Sequence, residues 1–131
     1  MKSKISQELV VHRLEQAKKE LSDAKLLYKN KSYLSANNRA YYSIFHTIRA
    51  VLALEAIDFK RHKDVIAYFN KNYINTEIFP RKMGKRIAQA NRIREDSDYD
   101  DEFVAKPEAT EAQIETAEEL IKLVNEYVKN K

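Results

Sequence analysis

Asn38-Arg39-Ala40-Tyr41-Tyr42-Ser43-Ile44-Phe45-His46-Thr47-Ile48-Arg49-Ala50-Val51-Leu52 is the stretch that decides the fold. Tyr41, Ile44, Phe45, Ile48, Val51 and Leu52 recur at three- and four-residue spacing. That places them within about a third of a helical wheel, the stripe of a helix that faces a core. The opposite side holds Ser35, Arg39, Tyr42, Ser43, His46, Ala50 and Ala53, and no lysine occurs between Lys31 and Lys60. A solvated back face is normally rich in Lys and Glu. Small residues, an aromatic and one Arg/His pair read instead as a surface that meets something, so this helix is expected to be contacted by its own bundle and by a partner.

Outward from this segment the same periodicity continues. A first helix is predicted over about 7–29, on Leu9, Val10, Leu14, Ala17, Leu21, Ala24, Leu27 and Tyr28. The second covers about 34–56, with Ser32 or Ser35 as its cap. A short third follows over about 63–73, and a fourth over about 80–95, with Pro80 at its first position and Gly84 inside it. Residues 96–107 read as an acidic connector and 108–129 as a fifth helix. One glycine and two prolines leave little turn chemistry, which argues against sheets. The fold expected is all-α, an up-and-down antiparallel bundle of four to five helices in a single domain, residues 1–131.

Composition excludes several classes of function. Without cysteine there are no disulfides, thiolate metal sites or cysteine nucleophiles. A single glycine rules out phosphate-cradling glycine loops, and neither Glu-x-x-His nor His-Glu-x-x-His occurs, so no metal or cofactor is expected. The polar start, Met1 to Gln7, does not read as a secretory signal, and no apolar run approaches the roughly 18 residues that span a bilayer. A soluble, cytoplasmic protein without membrane contact is expected. The net charge of +4 hides an asymmetry: residues 60–94 carry +8 and residues 95–131 carry −8. The basic middle either attracts a polyanion or is neutralised by the acidic helix packed on it.

Arg39 and His46 lie seven residues apart, close to two helical turns, so both leave one face with Cα atoms about 10 Å apart. A fixed cation beside a group that titrates near neutrality suits phosphodiester chemistry, with His46 as general base or acid and Arg39 on the phosphate. The structural alternative makes His46 an interfacial histidine and pairs Arg39 with a carboxylate of another helix. His62, in Lys60-Arg61-His62-Lys63, either contacts phosphate or caps the third helix. Arg94 with Asp98 reads as an ion pair and Tyr99 as closing the bundle, or this knot sits near Arg39 and tunes it. Tyr28, Tyr41, Tyr68, Tyr73 and Tyr127 belong to core stripes, whereas Tyr42 shares the Arg39/His46 face.

Asn38 through His46, then Arg49, Leu52, His62, Val65-Ile66, Phe69, Arg94 and Asp98-Tyr99 in order, resemble the HEPN superfamily, in particular its small stand-alone prokaryotic branch. The resemblance implies a helical bundle that dimerises through the helices bearing an Arg-x4–6-His motif and cleaves RNA without metal. It places Arg39 and His46 at the catalytic positions. Tyr42 and Ser43 are then expected to line the cleft and His62 to contact the substrate. The resemblance also implies RNA as substrate, a homodimer, and a minimal nucleotidyltransferase partner as antitoxin to this chain as toxin. Some members instead serve as non-catalytic modules that bind a nucleotidyltransferase or a nucleotide. Ala40 stands where robust HEPN ribonucleases place Asn, Asp or His. Ile48 stands where toxins neutralised by adenylylation carry tyrosine, which argues against that mode of control.

Overall fold

Small residues at the crossings let the helices of this chain approach closely. In the computed structural model, which describes residues 4–131, α1 (Lys4–Lys29) and α2 (Tyr33–Ala53) form an antiparallel hairpin, followed by α3 (His62–Phe69), α4 (Arg81–Tyr99) and α5 (Pro107–Lys129). No strand occurs among the described residues, so the all-α expectation holds. Part of the polar start, residues 1–3, lies outside the described residues. No described helix is long and apolar enough to cross a membrane.

The core forms as the α2 stripe requires. Tyr41, Ile44, Phe45, Ile48, Val51 and Leu52 are buried against Val10 and Leu14 of α1, Val65 and Phe69 of α3, Met83 and Ile87 of α4, and Leu120 and Val124 of α5. Of the five core tyrosines, Tyr41 and Tyr73 are buried, and Tyr28, Tyr68 and Tyr127 pack partly buried against the core.

The back of α2 differs from the expectation. Ser43, Ala50 and Ala53 are buried, and α1 of the same chain covers them. Ser43 Oγ donates to the Ala17 carbonyl at 2.7 Å, and Arg13 Nη1 donates to the Arg49 carbonyl at 2.9 Å. Ala24 and Ala40 meet beside Ile114. The small residues serve helix contact within one chain. What remains open on α2 is a narrower strip of Ser35, Asn38, Arg39, Tyr42, His46 and Arg49.

Element ends shift for local reasons. Neither Ser32 nor Ser35 makes a side-chain cap: Ser32 sits at the N-cap without such a bond, and Ser35 lies inside α2. α2 stops at Ala53, and Ala56 turns the chain at φ 56°. α3 continues into one π-helical turn, Asn70–Ile74. Gly84 of α4 lies against that turn, where a Cβ would sit 3.0 Å from Ile74 Cγ2, so the glycine serves close approach. α4 runs on through residues 96–99, part of the expected connector, with Arg94 and Asp98 paired at i, i+4. Tyr99 does not close the bundle, because it is 88% exposed.

The acidic α5 is partly neutralised by its neighbours. Glu119 accepts Lys82 at 3.0 Å and Arg86 as well, and Glu118 accepts Lys25 at 2.5 Å. Lys60, Lys63 and Lys85 form no ion pair among the described residues.

Candidate active site

Three α2 side chains define the open strip, because 39, 42 and 46 repeat at three- and four-residue steps on the edge that α1 leaves uncovered. Arg39 is half exposed, and its Nη1 lies 3.3 Å from Glu20 Oε2 of α1, itself mostly buried. The expected carboxylate partner therefore exists, and it leaves the rest of the guanidinium fork free to meet an anion. Tyr42 is half buried, with its ring 6.2 Å from that of His46.

His46 is held at the seam between α1 and α2. Burial first, then Arg49, Arg13 and His12, lowers its pKa from the ordinary histidine value. Its Nδ1 is buried and makes no hydrogen bond among the described residues; the same is true of Asn38 Oδ1 and Arg49 Nε on the same strip. Buried polar atoms are usually hydrogen-bonded, so these three are where water or a bound group would be accepted.

Two arginines behind His46 are fixed by one carboxylate. Asp58, in the connector after α2, accepts Arg49 Nη2 at 2.7 Å and Arg13 Nη2 at 3.3 Å. Its pKa falls because hydrogen bonds from Arg49 and the Phe59 amide outweigh burial, so it stays ionised. Arg13, Asp58 and Glu20 were not singled out from sequence. Arg13 carried a signal, since it interrupts the apolar stripe of Val10, Leu14 and Ala17, whereas Asp58 and Glu20 look like any solvated acid.

His62 is the first residue of α3 and closes the strip from the other side. Its ring stacks on Phe45 at 3.9 Å between centroids, and its Nδ1 shares a 2.9 Å hydrogen bond with Tyr41 Oη. It makes no capping bond, and instead ties α3 to α2 while lining an open cleft of about 400 Å³ with Phe45, Arg49, Asp58 and Phe59. Burial, and then Arg94, Arg49 and His46, lower its pKa too. Arg94 makes the expected ion pair and also reaches the α2 rings. It lies 3.4 Å from Asp98, and its guanidinium covers the rings of Tyr41 at 5.2 Å and Tyr42 at 5.9 Å. Ser43 is not brought to this cleft, since it is fully buried under α1.

The lowered histidines give a pH dependence with a definite sign. The unfolded chain takes up protons near the ordinary histidine value of about 6.5, while the folded chain resists them. Stability is therefore present above that value and falls as pH drops through it toward the folded pKa. The melting temperature is expected to fall between about pH 7.5 and about pH 5.5. The fall should be smaller in a His46→Asn/His62→Asn variant; an unchanged fall would assign the protons to other groups.

The arrangement supplies a neutral imidazole, a half-free guanidinium and flanking cations on one edge, the inventory for proton transfer at a phosphodiester. Comparison with known proteins places the chain among relatives. Residues 10–127 match the model of the HEPN domain family. A protein from Methanocaldococcus jannaschii named "Putative toxin MJ0605" is 33% identical over 116 residues, covering 88% of this chain and 86% of that protein. A second from that organism, "Putative toxin MJ0142", is 29% identical over 118 residues, 90% and 80% of the two chains. A "UPF0332 protein" of Thermotoga maritima is 30% identical over 110 residues, 84% and 83% of the two.

Proposed function

The chain belongs to the HEPN domain family, and on that premise we propose that it is a metal-independent endoribonuclease acting as a homodimer. The observation that carries the reading is the pairing of Arg39, half free on the open edge of α2, with a His46 kept neutral by burial and two arginines. Two such edges meeting across a two-fold axis make one cleft with two histidines and two arginines.

One His46 removes the proton of a ribose 2′-OH, and the 2′-oxygen attacks the adjacent phosphorus. Arg39 of one or both protomers holds the phosphate and the charge that builds on it. The second His46 gives a proton to the departing 5′-oxygen, leaving a 2′,3′-cyclic phosphate and a 5′-hydroxyl. Tyr42 and His62 line the path of the strand, and Ser43 acts through the α1–α2 contact. Ser43→Ala is accordingly expected to cost about 1 kcal/mol of stability and to leave cleavage unchanged. A cleavage defect in a variant of unaltered stability would return Ser43 to the cleft.

Relatives named "Putative toxin" support the role of toxin, and the antitoxin proposed for it is a minimal nucleotidyltransferase. Induced expression is expected to arrest growth, with Arg39→Ala relieving the arrest. Arrest that persists in the variant would separate toxicity from this site. The Arg39–Glu20 ion pair favours a second reading, in which Arg39 is structural and the chain is a non-catalytic module that binds the nucleotidyltransferase or a nucleotide. Stable co-purification with such a partner, together with inert RNA, would favour it.

A further inference from the structure

α4 carries two separate open clefts on the side that faces α3 and the π turn. Near the candidate active site lies an open cleft of about 480 Å³, lined by Lys60, His62 and Lys63 before and at the start of α3 and by Arg94, Glu95, Asp98 and Tyr99 of α4. Toward the start of α4 lies a second cleft of about 830 Å³, with Asn70, Lys82 and Lys85 around a floor of Gly84 and Ala88. The span from Arg94 to Arg81 is about 20 Å of helix.

We propose that these two clefts form one groove for the single-stranded RNA leading into the Arg39/His46 site, an inference that rests on the ribonuclease reading and names its substrate path. Two features fit a single strand. The charge of the clefts is net positive: Glu95 and Asp98 line the near end, yet Lys60, Lys63 and Lys85 carry no ion pair of their own among the described residues. Tyr99 is 88% exposed at the mouth beside Arg94, does nothing for the core, and offers a flat ring to an unstacked base. Duplex RNA presents no unstacked base to such a ring, so a single strand is the occupant selected.

The test uses the full-length His46→Ala protein, so that binding is read without cleavage, and a fluorescein-labelled single-stranded RNA of about 12 nucleotides. Lys63→Glu/Lys85→Glu is expected to weaken binding at least about tenfold and to flatten its salt dependence by about 0.7 for each phosphate no longer neutralised. Tyr99→Ala is expected to weaken it about tenfold and Tyr99→Phe to restore it, since the ring and not the hydroxyl does the stacking. Binding unchanged in these variants, with unaltered helicity, overturns the groove, including the case in which the same variants release an acidic partner protein. Cleavage of a dinucleotide, too short to enter the groove, reads the catalytic assignment separately. In the otherwise wild-type protein it stays intact in the groove variants and is lost with His46→Ala.

Discussion

His46→Ala is expected to lower the rate of RNA cleavage by at least about 10²–10⁴-fold, the range for losing a positioned general acid or base. In the proposed homodimer both protomers lose their histidine at once, so base and acid vanish together. The fold should survive. His46 is only partly buried, and its Nδ1 makes no hydrogen bond to other described residues that truncation would leave unpaired. Helicity and dimer mass should match the parent. Arg39→Lys is expected to be nearly as damaging, because an ammonium pairs with Glu20 or with phosphate, whereas the planar fork serves both. If His46→Ala cleaves at the parental rate, His46 has no part in the chemistry. If Arg39→Lys does so, the charge alone suffices.

Phe69→Ala is expected to be the most destabilising single core change among those bearing on the site, about 3–5 kcal/mol. Phe69 is fully buried and packs against both Tyr73, 5.5 Å away, and Phe79, 5.6 Å away, which also touch each other. These rings tie α3, the π turn and the segment before α4 together. A loss of that size consumes a large part of the roughly 5–15 kcal/mol that holds a domain folded. The urea midpoint of unfolding should fall accordingly. The remaining folded protein should also cleave less well, since α3 places His62 beside Tyr41 and Phe45. A loss under about 1 kcal/mol would mean that α3 is not anchored by this stack.

Much of this arrangement was legible in residue spacing. The α2 stripe named six of the side chains that form the core, and the Arg39/Tyr42/His46 edge followed from the same wheel. A wheel shows which residues share a face but not which helix crosses it, and there Ser43 was misplaced. The missing signal was reciprocal: Ala17 and Ala24 on α1 are as small as Ser43 and Ala40 on α2, the pattern of two helices in close contact. Tyr99 misled for the opposite reason. It was expected to close the bundle beside the Arg94–Asp98 pair, but α4 extends one more turn through that pair and carries the ring into solvent. Glu20 and Arg13 join the site through contacts 19 and 36 residues apart in sequence, and Arg13 and Asp58 meet across 45, which no local pattern reports.

The acid–base assignment also explains why two arginines stand behind the histidine. Arg13 and Arg49 disfavour a charged imidazole, and Asp58 keeps both in place without neutralising them fully. A neutral His46 is the form that accepts a proton from a ribose hydroxyl.

The central claim is the 2′-hydroxyl chemistry of the Arg39/His46 edge. Its most direct measurement is the chemical nature of the RNA ends left by the purified dimer in the presence of EDTA. The account predicts 2′,3′-cyclic phosphate and 5′-hydroxyl ends, formed undiminished by the chelator. Ends bearing 3′-hydroxyl and 5′-phosphate, or no cleavage at all by well-folded dimer, would contradict it.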